Sequence, residues 1–257
     1  MPPLLHSNDV GQGEALVFLH GFCETHEIWD EFVNPLKERF RIITIDLPGF
    51  GNSDILPGPF TIDAAGDALA NHLEKKHLEK SVLIGHSLGG YVALSLAANH
   101  PELVGGLVLF HSTSFADTPE KKENRNKVIE FVRRNGVQPF IDTFVPGLFF
   151  DKLNPMIQQM HRIASATKME TLIGYSQAMR DRPDRSSVLK NSALRKLLIA
   201  GEEDALVTLH TSLEMVKMGK NLSFLALKKT GHMGFFEAKT ECQEIIASFT
   251  DGLRFNK

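Results

Sequence analysis

Short apolar runs rich in Val, Ile and Leu recur along the chain, at Ala15 to Leu19, Ile42 to Ile45, Val82 to Ile84, Leu107 to Phe110, Leu197 to Ala200 and Ser223 to Leu227. Such continuous runs predict strands buried on both faces, the pattern of a parallel sheet. Between several of them, Asp63 to Lys75 and Leu88 to Asn99 carry Ala, Leu and charged residues at helical spacing. Strands alternating with helices imply a doubly wound α/β sheet.

The alternation breaks between Ser112 and Asn191. No convincing strand pattern occurs there, but amphipathic stretches do, notably Pro119 to Asn135 and Asn154 to Arg182. The break predicts one α/β domain over residues 1–257 carrying a helical insertion at about 113–190. Its apolar residues, Phe140, Phe144, Leu148, Phe149, Phe150, Met156, Met160 and Met179, suit a small core of their own or the lining of a ligand cavity, with packing the expected role for most.

Composition narrows the function classes. At 257 residues and 42% hydrophobic content, the chain can bury one substantial core. The formal charge of -3 is near balance and basic residues are scattered, so neither a nucleic-acid footprint nor a stable membrane association is expected. No apolar run approaches the roughly 20 residues of a membrane span, and the start has no leader pattern. Cys23 and Cys242 lie far apart with no CxxC spacing, which predicts free thiols, a reducing cytoplasmic setting and no cysteine metal site. Small-molecule chemistry is the default that remains.

The chemistry begins at Gly85-His86-Ser87-Leu88-Gly89-Gly90, a G-x-S-x-G directly after one predicted strand and before a predicted helix. In such an elbow a nucleophilic serine sits in a strained turn, and small residues two positions either side avoid clashes. The helix would aim its N-terminus at Ser87, making the Leu88 N–H one candidate oxyanion donor. The other is the Phe22 N–H, in the His20-Gly21-Phe22 turn after the first long apolar run. His86 adjoins the serine, but neighbours on a tight turn diverge, so packing or pocket lining is expected of it. His20 is expected to hold its loop by hydrogen bonds, and Trp29, the only tryptophan, to pack beneath that loop.

For this strand–elbow–helix arrangement the partners follow in the order serine, acid, histidine, in loops at the carboxyl ends of strands. Gly201-Glu202-Glu203-Asp204 follows one late strand, and Thr230-Gly231-His232 follows the last. His232 is therefore the candidate base, singled out from 11 histidines by its loop. Glu202, Glu203 and Asp204 all remain open as the acid on local grounds, and Asp117, after the strand preceding the insertion, is a weaker alternative.

With those residues placed, nearly the whole chain resembles the α/β-hydrolase superfamily, in its capped branch that includes small carboxylesterases. His20-Gly21-Phe22 resembles the family's oxyanion segment, and Asp46-Leu47-Pro48-Gly49-Phe50-Gly51-Asn52-Ser53 its D-x-P-G-x-G-x-S turn. The resemblance selects Asp204 as acid and gives Asp46 and Ser53 structural roles. It implies an acyl-enzyme mechanism on Ser87, Asp204 and His232, with no metal or organic cofactor and a small ester-like substrate. A serine at the elbow argues against dehalogenase and epoxide-hydrolase relatives, which use aspartate there. Carbon–carbon, thioester and lactone hydrolysis, perhydrolysis and slow ligand-binding receptors share the same residues. Two departures concern the sheet and not the chemistry. The segment before Ala15 has room for one of the family's two opening antiparallel strands, and Arg195-Lys196 stands where a proline often precedes the strand at Leu197.

Overall fold

In the computed structural model, which describes residues 2–253, seven strands form one sheet in the order β1-β3-β2-β4-β5-β6-β7. They are β1 (Ser7–Val10), β2 (Ala15–Leu19), β3 (Arg41–Ile45), β4 (Ser81–His86), β5 (Val104–Phe110), β6 (Lys196–Gly201) and β7 (Leu222–Leu227). β1 runs antiparallel to β3, and every other pairing is parallel. The N-terminal segment thus supplies one antiparallel opening strand. Strands β2, β4 and β6 are buried at every position, as their unbroken apolar runs require. β1 reads Ser-Asn-Asp-Val and lies on an edge, where Asp9 pairs with Arg41 and Lys76.

The helices are α1 (Ile62–Lys75), α2 (Leu88–Asn99), α3 (Pro119–Asn135), α4 (Gln138–Gly147), α5 (Met156–Ser165), α6 (Met169–Asp181), α7 (Ser186–Lys190), α8 (Leu209–Met218), α9 (Gly234–Glu237) and α10 (Lys239–Asp251). Thr61, Thr118 and Thr208 cap α1, α3 and α8 through their hydroxyls. Such caps contribute about 1 kcal/mol each. Helix α2 is apolar nearly all round and buried against β4 and β5, while α1 crosses it with Gly66 against Ser95.

Five helices, α3 to α7, lie between β5 and β6. The stretch Asn154 to Arg182, continuous in its periodicity, is two helices with a break at residues 166–168. A three-residue break is close to one helical turn, so the apolar spacing carries across it. Helix α4 is an element the periodicity did not single out. Side chains of this stretch make defined contacts with one another and with the segments around the sheet. Phe50 stacks on Tyr175 of α6 at 5.0 Å, and buried Arg182 bonds Asp117 at 2.7 Å while lying over the Tyr91 ring at 4.0 Å. Among the described residues no helix is long and apolar enough to cross a membrane.

Candidate active site

The parallel order of β4, β5, β6 and β7 brings their carboxyl-terminal loops to one end of the sheet, and with them Ser87, His111, Asp204 and His232. Ser87 links β4 to α2 with φ 49° and ψ -111°. Non-glycine residues held in sparsely populated regions of this kind cost on the order of 1–3 kcal/mol, which the surrounding structure must impose. It does so by close packing. A Cβ on Gly85 would sit 2.5 Å from the Gly89 carbonyl oxygen, and one on Gly89 would sit 2.4 Å from the Leu19 carbonyl oxygen. The second approach seats the start of α2 against the end of β2, beside the His20-Gly21-Phe22 loop. The Ser87 N–H donates to the Phe110 carbonyl at 3.0 Å and its carbonyl accepts from Ser112 Oγ at 2.8 Å, so both backbone groups of the elbow are tied.

Asp204 and His232, from separate loops, meet. His232 Nδ1–H donates to Asp204 Oδ2 at 2.7 Å. The other carboxylate oxygen, Oδ1, accepts the backbone N–H groups of Leu206 at 2.8 Å and Val207 at 3.0 Å. Burial alone would push the Asp204 carboxyl up, but His232 and His111 beside it hold it well below the usual carboxylate range. With Nδ1 committed as a donor, Nε2 is the one ring nitrogen left to offer a lone pair, and it is buried with no hydrogen-bond partner among the described residues. An imidazole in this tautomer can take a proton from a hydroxyl.

The three local rivals for the acid separate in space. Glu202 and Glu203 are exposed. Asp117 is buried but engaged by Arg182 and Arg125, far from any imidazole contact. The residue that follows β5 and does enter the cluster is His111. It is fully buried, has φ 49°, and its Nδ1 lies 3.0 Å from the same Asp204 Oδ2 that His232 uses. Burial brings its pKa down to about 4, so the ring is neutral, and the ionised Asp204 oxygen at 3.0 Å places its proton on Nδ1 although the Gly201 N–H also approaches that nitrogen, at 3.3 Å. Nothing in the motifs marked His111; its one sequence signal is its place immediately after a buried parallel strand.

The Phe22 and Leu88 backbone N–H groups, the two candidate oxyanion donors, are absent from the backbone hydrogen bonds that tie the loops together among the described residues. The loop before them is braced by His20, whose Nδ1–H donates to the Gly21 carbonyl at 2.8 Å while Nε2 accepts the Leu47 N–H at 2.9 Å. One donor and one acceptor nitrogen define a neutral ring, in keeping with a pKa lowered by burial. Asp46 bonds the His26 N–H, the His26 ring and the Asn52 N–H, and Ser53 Oγ–H donates to the Asp46 carbonyl. Both therefore brace the turn. Trp29 is buried among the rings of Phe18, Phe110 and Phe235, the last at 4.8 Å. Both cysteines are buried and free, and burial pushes their thiols up.

Two clusters have metal-ligand spacing, His111–Asp204–His232 and His6–His26–Asp46. In each, N–H donors already occupy the carboxylate lone pairs, four on Asp204 and three on Asp46.

Phe140 and Phe144 of α4 stack on each other at 5.0 Å and meet the Phe22 ring edge-on at 6.4 and 6.0 Å. The same helix leads into a segment stitched to the Gly231-His232 loop. The His232 N–H donates to the Leu148 carbonyl at 2.7 Å. Glu237 takes the N–H groups of Phe150 and Asp151 on one oxygen and that of Gly231 on the other.

Residues 14–162 match the family model described as alpha/beta hydrolase fold. Over 96% of its length the chain is 26% identical to the AB hydrolase superfamily protein YisY of Bacillus subtilis, covering 95% of that protein. It is 25% identical to a 2-hydroxy-6-oxononadienedioate/2-hydroxy-6-oxononatrienedioate hydrolase of a Pseudomonas species, across 95% of this chain and 91% of that one. Among solved structures, a thermophilic esterase from Thermogutta terrifontis superposes with a TM-score of 0.91 at 28% identity, across 98% of this chain and 94% of the esterase. An elbow serine after a parallel strand, an Asp–His pair from the loops after β6 and β7 and this likeness agree, and the chain belongs to the α/β-hydrolase family of enzymes.

Proposed function

We propose that the protein is a serine hydrolase that cleaves carboxylic esters of small molecules through Ser87, His232 and Asp204. The observation that carries the proposal is the His232 ring. Its Nδ1–H is fixed on Asp204 Oδ2 at 2.7 Å, and its free Nε2 stands buried and unpartnered at the sheet end that holds the strained Ser87. In the first step Nε2 takes the Ser87 Oγ proton as Oγ attacks the acyl carbonyl, and the Phe22 and Leu88 N–H groups receive the oxyanion. Asp204 stabilises the imidazolium. The alkoxide leaves with the proton held on Nε2, and the acyl group stays on Oγ. Water then gives a proton to Nε2 and attacks the same carbonyl, releasing the acid and restoring Ser87.

Helices α3 to α7 act as the cap in this reading, and the Phe22, Phe140 and Phe144 rings favour an apolar group next to the oxyanion site. The test is initial-rate hydrolysis of a chain-length series of p-nitrophenyl esters, with thioester and lactone substrates in parallel, on parental protein and Ser87→Ala. Loss of an activated serine removes on the order of a millionfold in turnover. Near-parental ester hydrolysis by Ser87→Ala would refute the assignment, and ligand binding by the parental protein without any turnover would replace it with a receptor.

A further inference from the structure

Two buried ionisable side chains take no part in the steps above. Glu24, in the loop after β2, and His86, the last residue of β4, are 1% and 0% exposed and lie 62 residues apart in sequence. Glu24 Oε2 accepts the Gly21 N–H and also the His86 Nδ1–H, the latter at 3.0 Å. On its other side His86 Nε2 lies 3.0 Å from the backbone carbonyl of His232. Both ring nitrogens face acceptors, so both must carry protons, and the ring is an imidazolium. An oxygen that accepts two N–H donors, one of them cationic, belongs to a carboxylate. Burial opposes both charges, yet each raises the charged form of the other, lowering the Glu24 carboxyl and raising the His86 ring.

The pair therefore runs as a bridge with its two ends on the two loops that the hydrolytic reading requires to be in register. One end holds Gly21, immediately before the Phe22 donor, and the other holds the main chain of the base. Contact at the first end is close: a Cβ on Gly21 would lie 2.7 Å from His86 Nδ1 and 2.8 Å from Glu24 Oε2. His86 itself is the residue before Ser87, so the bridge also passes through the base of the elbow. The His86 ring packs edge-on against Phe235 and tilted against His232, with centroids 4.9 Å apart in each case.

We propose that Glu24 and His86 are positioning residues, a buried ion pair that sets the oxyanion loop and the His232 loop against each other for ester cleavage. The proposal rests on the serine-hydrolase reading. A bridge of this kind acts after substrate has bound, because it places an N–H for the developing oxyanion and a base for the proton; its signature is on kcat and not on KM. Its two halves separate by substitution. Glu24→Ala frees Gly21 while leaving a neutral His86 able to donate from Nε2 to His232. In Glu24→Gln the amide oxygen still accepts Gly21, but a neutral carbonyl no longer stabilises the imidazolium, and the His86 tie to His232 weakens.

The test measures kcat and KM on a p-nitrophenyl ester per serine labelled by a fluorophosphonate, with thermal unfolding alongside. Displacing one oxyanion donor costs about 100-fold, so Glu24→Ala is expected to lower kcat about 100-fold and Glu24→Gln about tenfold, with KM within about threefold of the parent in both. Glu24→Ala at parental kcat per labelled serine overturns the proposal. So does a KM effect alone, or Glu24→Gln falling to the level of Glu24→Ala. Should Glu24→Ala not fold, His86→Asn decides the matter: its amide keeps a donor toward Glu24 and releases the His232 carbonyl. Its kcat must then drop about tenfold, and a parental value overturns the bridge. Failure of the underlying reading looks different, since a parental protein that is neither labelled at Ser87 nor active removes the hydrolase itself.

Discussion

Asp204→Asn is the sharpest single perturbation of the proposed site, because the number of donors converging on that side chain dictates the outcome. Four N–H groups meet the carboxylate, two backbone donors on Oδ1 and two imidazole donors on Oδ2. An amide of the same shape can accept on one side only. If its oxygen faces Leu206 and Val207, its NH2 faces both imidazoles. His232 must then move its proton to Nε2, where it can no longer serve as a base toward Ser87. If the amide turns the other way, two buried backbone N–H groups face an NH2. Each unsatisfied buried donor costs about 1–3 kcal/mol; the second orientation orphans two backbone N–H groups and the first orphans the His111 Nε2–H, so the second lies about 1–3 kcal/mol higher. The amide oxygen therefore stays with the backbone and the tautomer inverts. Loss of the correct tautomer in a comparable triad lowers kcat about 10⁴-fold, equivalent to about 5.5 kcal/mol. The assay is initial-rate hydrolysis of a p-nitrophenyl ester, with far-UV circular dichroism to show that the fold persists. A folded Asp204→Asn protein retaining more than about a tenth of parental kcat would refute the tautomer argument and with it the role of Asp204.

His111 and Glu237 carry two further predictions. The His111 pKa of about 4 lies below its ordinary 6.5, so as pH falls through 6.5 the unfolded chain gains a proton that the folded chain refuses. Stability therefore falls between pH 6.5 and 4 and the His111 contribution flattens below that, amounting to about 3 kcal/mol. His111→Asn, which keeps a donor toward Asp204 but does not titrate, should show a shallower decline in urea unfolding free energy across this window; an unchanged slope removes His111 as its source. Glu237 binds the N–H groups of Phe150, Asp151 and Gly231, and Glu237→Ala is expected to lower unfolding free energy by about 2 kcal/mol. It should also raise KM, because the segment between α4 and α5 loses its tie to the base loop. Unaltered denaturant midpoint and KM together would contradict that anchoring.

Most of the sheet was legible because burial on both faces confines polar residues largely to strand ends, such as Ser81, His86 and Lys196, leaving runs such as Ala15 to Leu19 and Leu197 to Ala200 unbroken. β1 escaped that logic: an edge strand exposed to solvent needs no apolar run, and Ser7 to Val10 show none. Helix α4 starts at Gln138-Pro139 without a side-chain cap and has Pro146 inside its last turn, so its apolar pairs Phe140-Ile141 and Phe144-Val145 stand in a short run that no capping residue announces. The residues proposed for the chemistry were readable for a related reason. Ser87 needs glycines two positions away and His232 needs a strand end before it, constraints within a few residues of sequence, whereas local constraints narrow the acid only to Glu202, Glu203 and Asp204 and the family resemblance selects among them.

Positioning groups obey no such local rule. Glu24 meets His86 across 62 residues and His86 meets the His232 carbonyl across 146, while His111 reaches Asp204 across 93. What these contacts require is a donor or acceptor at a point in space, and a different residue from a different loop could meet the same requirement. Reading His86 from sequence as packing was correct about its burial and blind to its charge, because the partner that makes it an imidazolium is identifiable only once β2 and β4 lie side by side. That asymmetry has a physical origin. The bond-making atoms must share one small volume whatever the substrate, whereas register between the loops that carry them can be held by any buried group satisfied at both ends. In this chain the group is charged, and a buried charge tolerates neither end being left open.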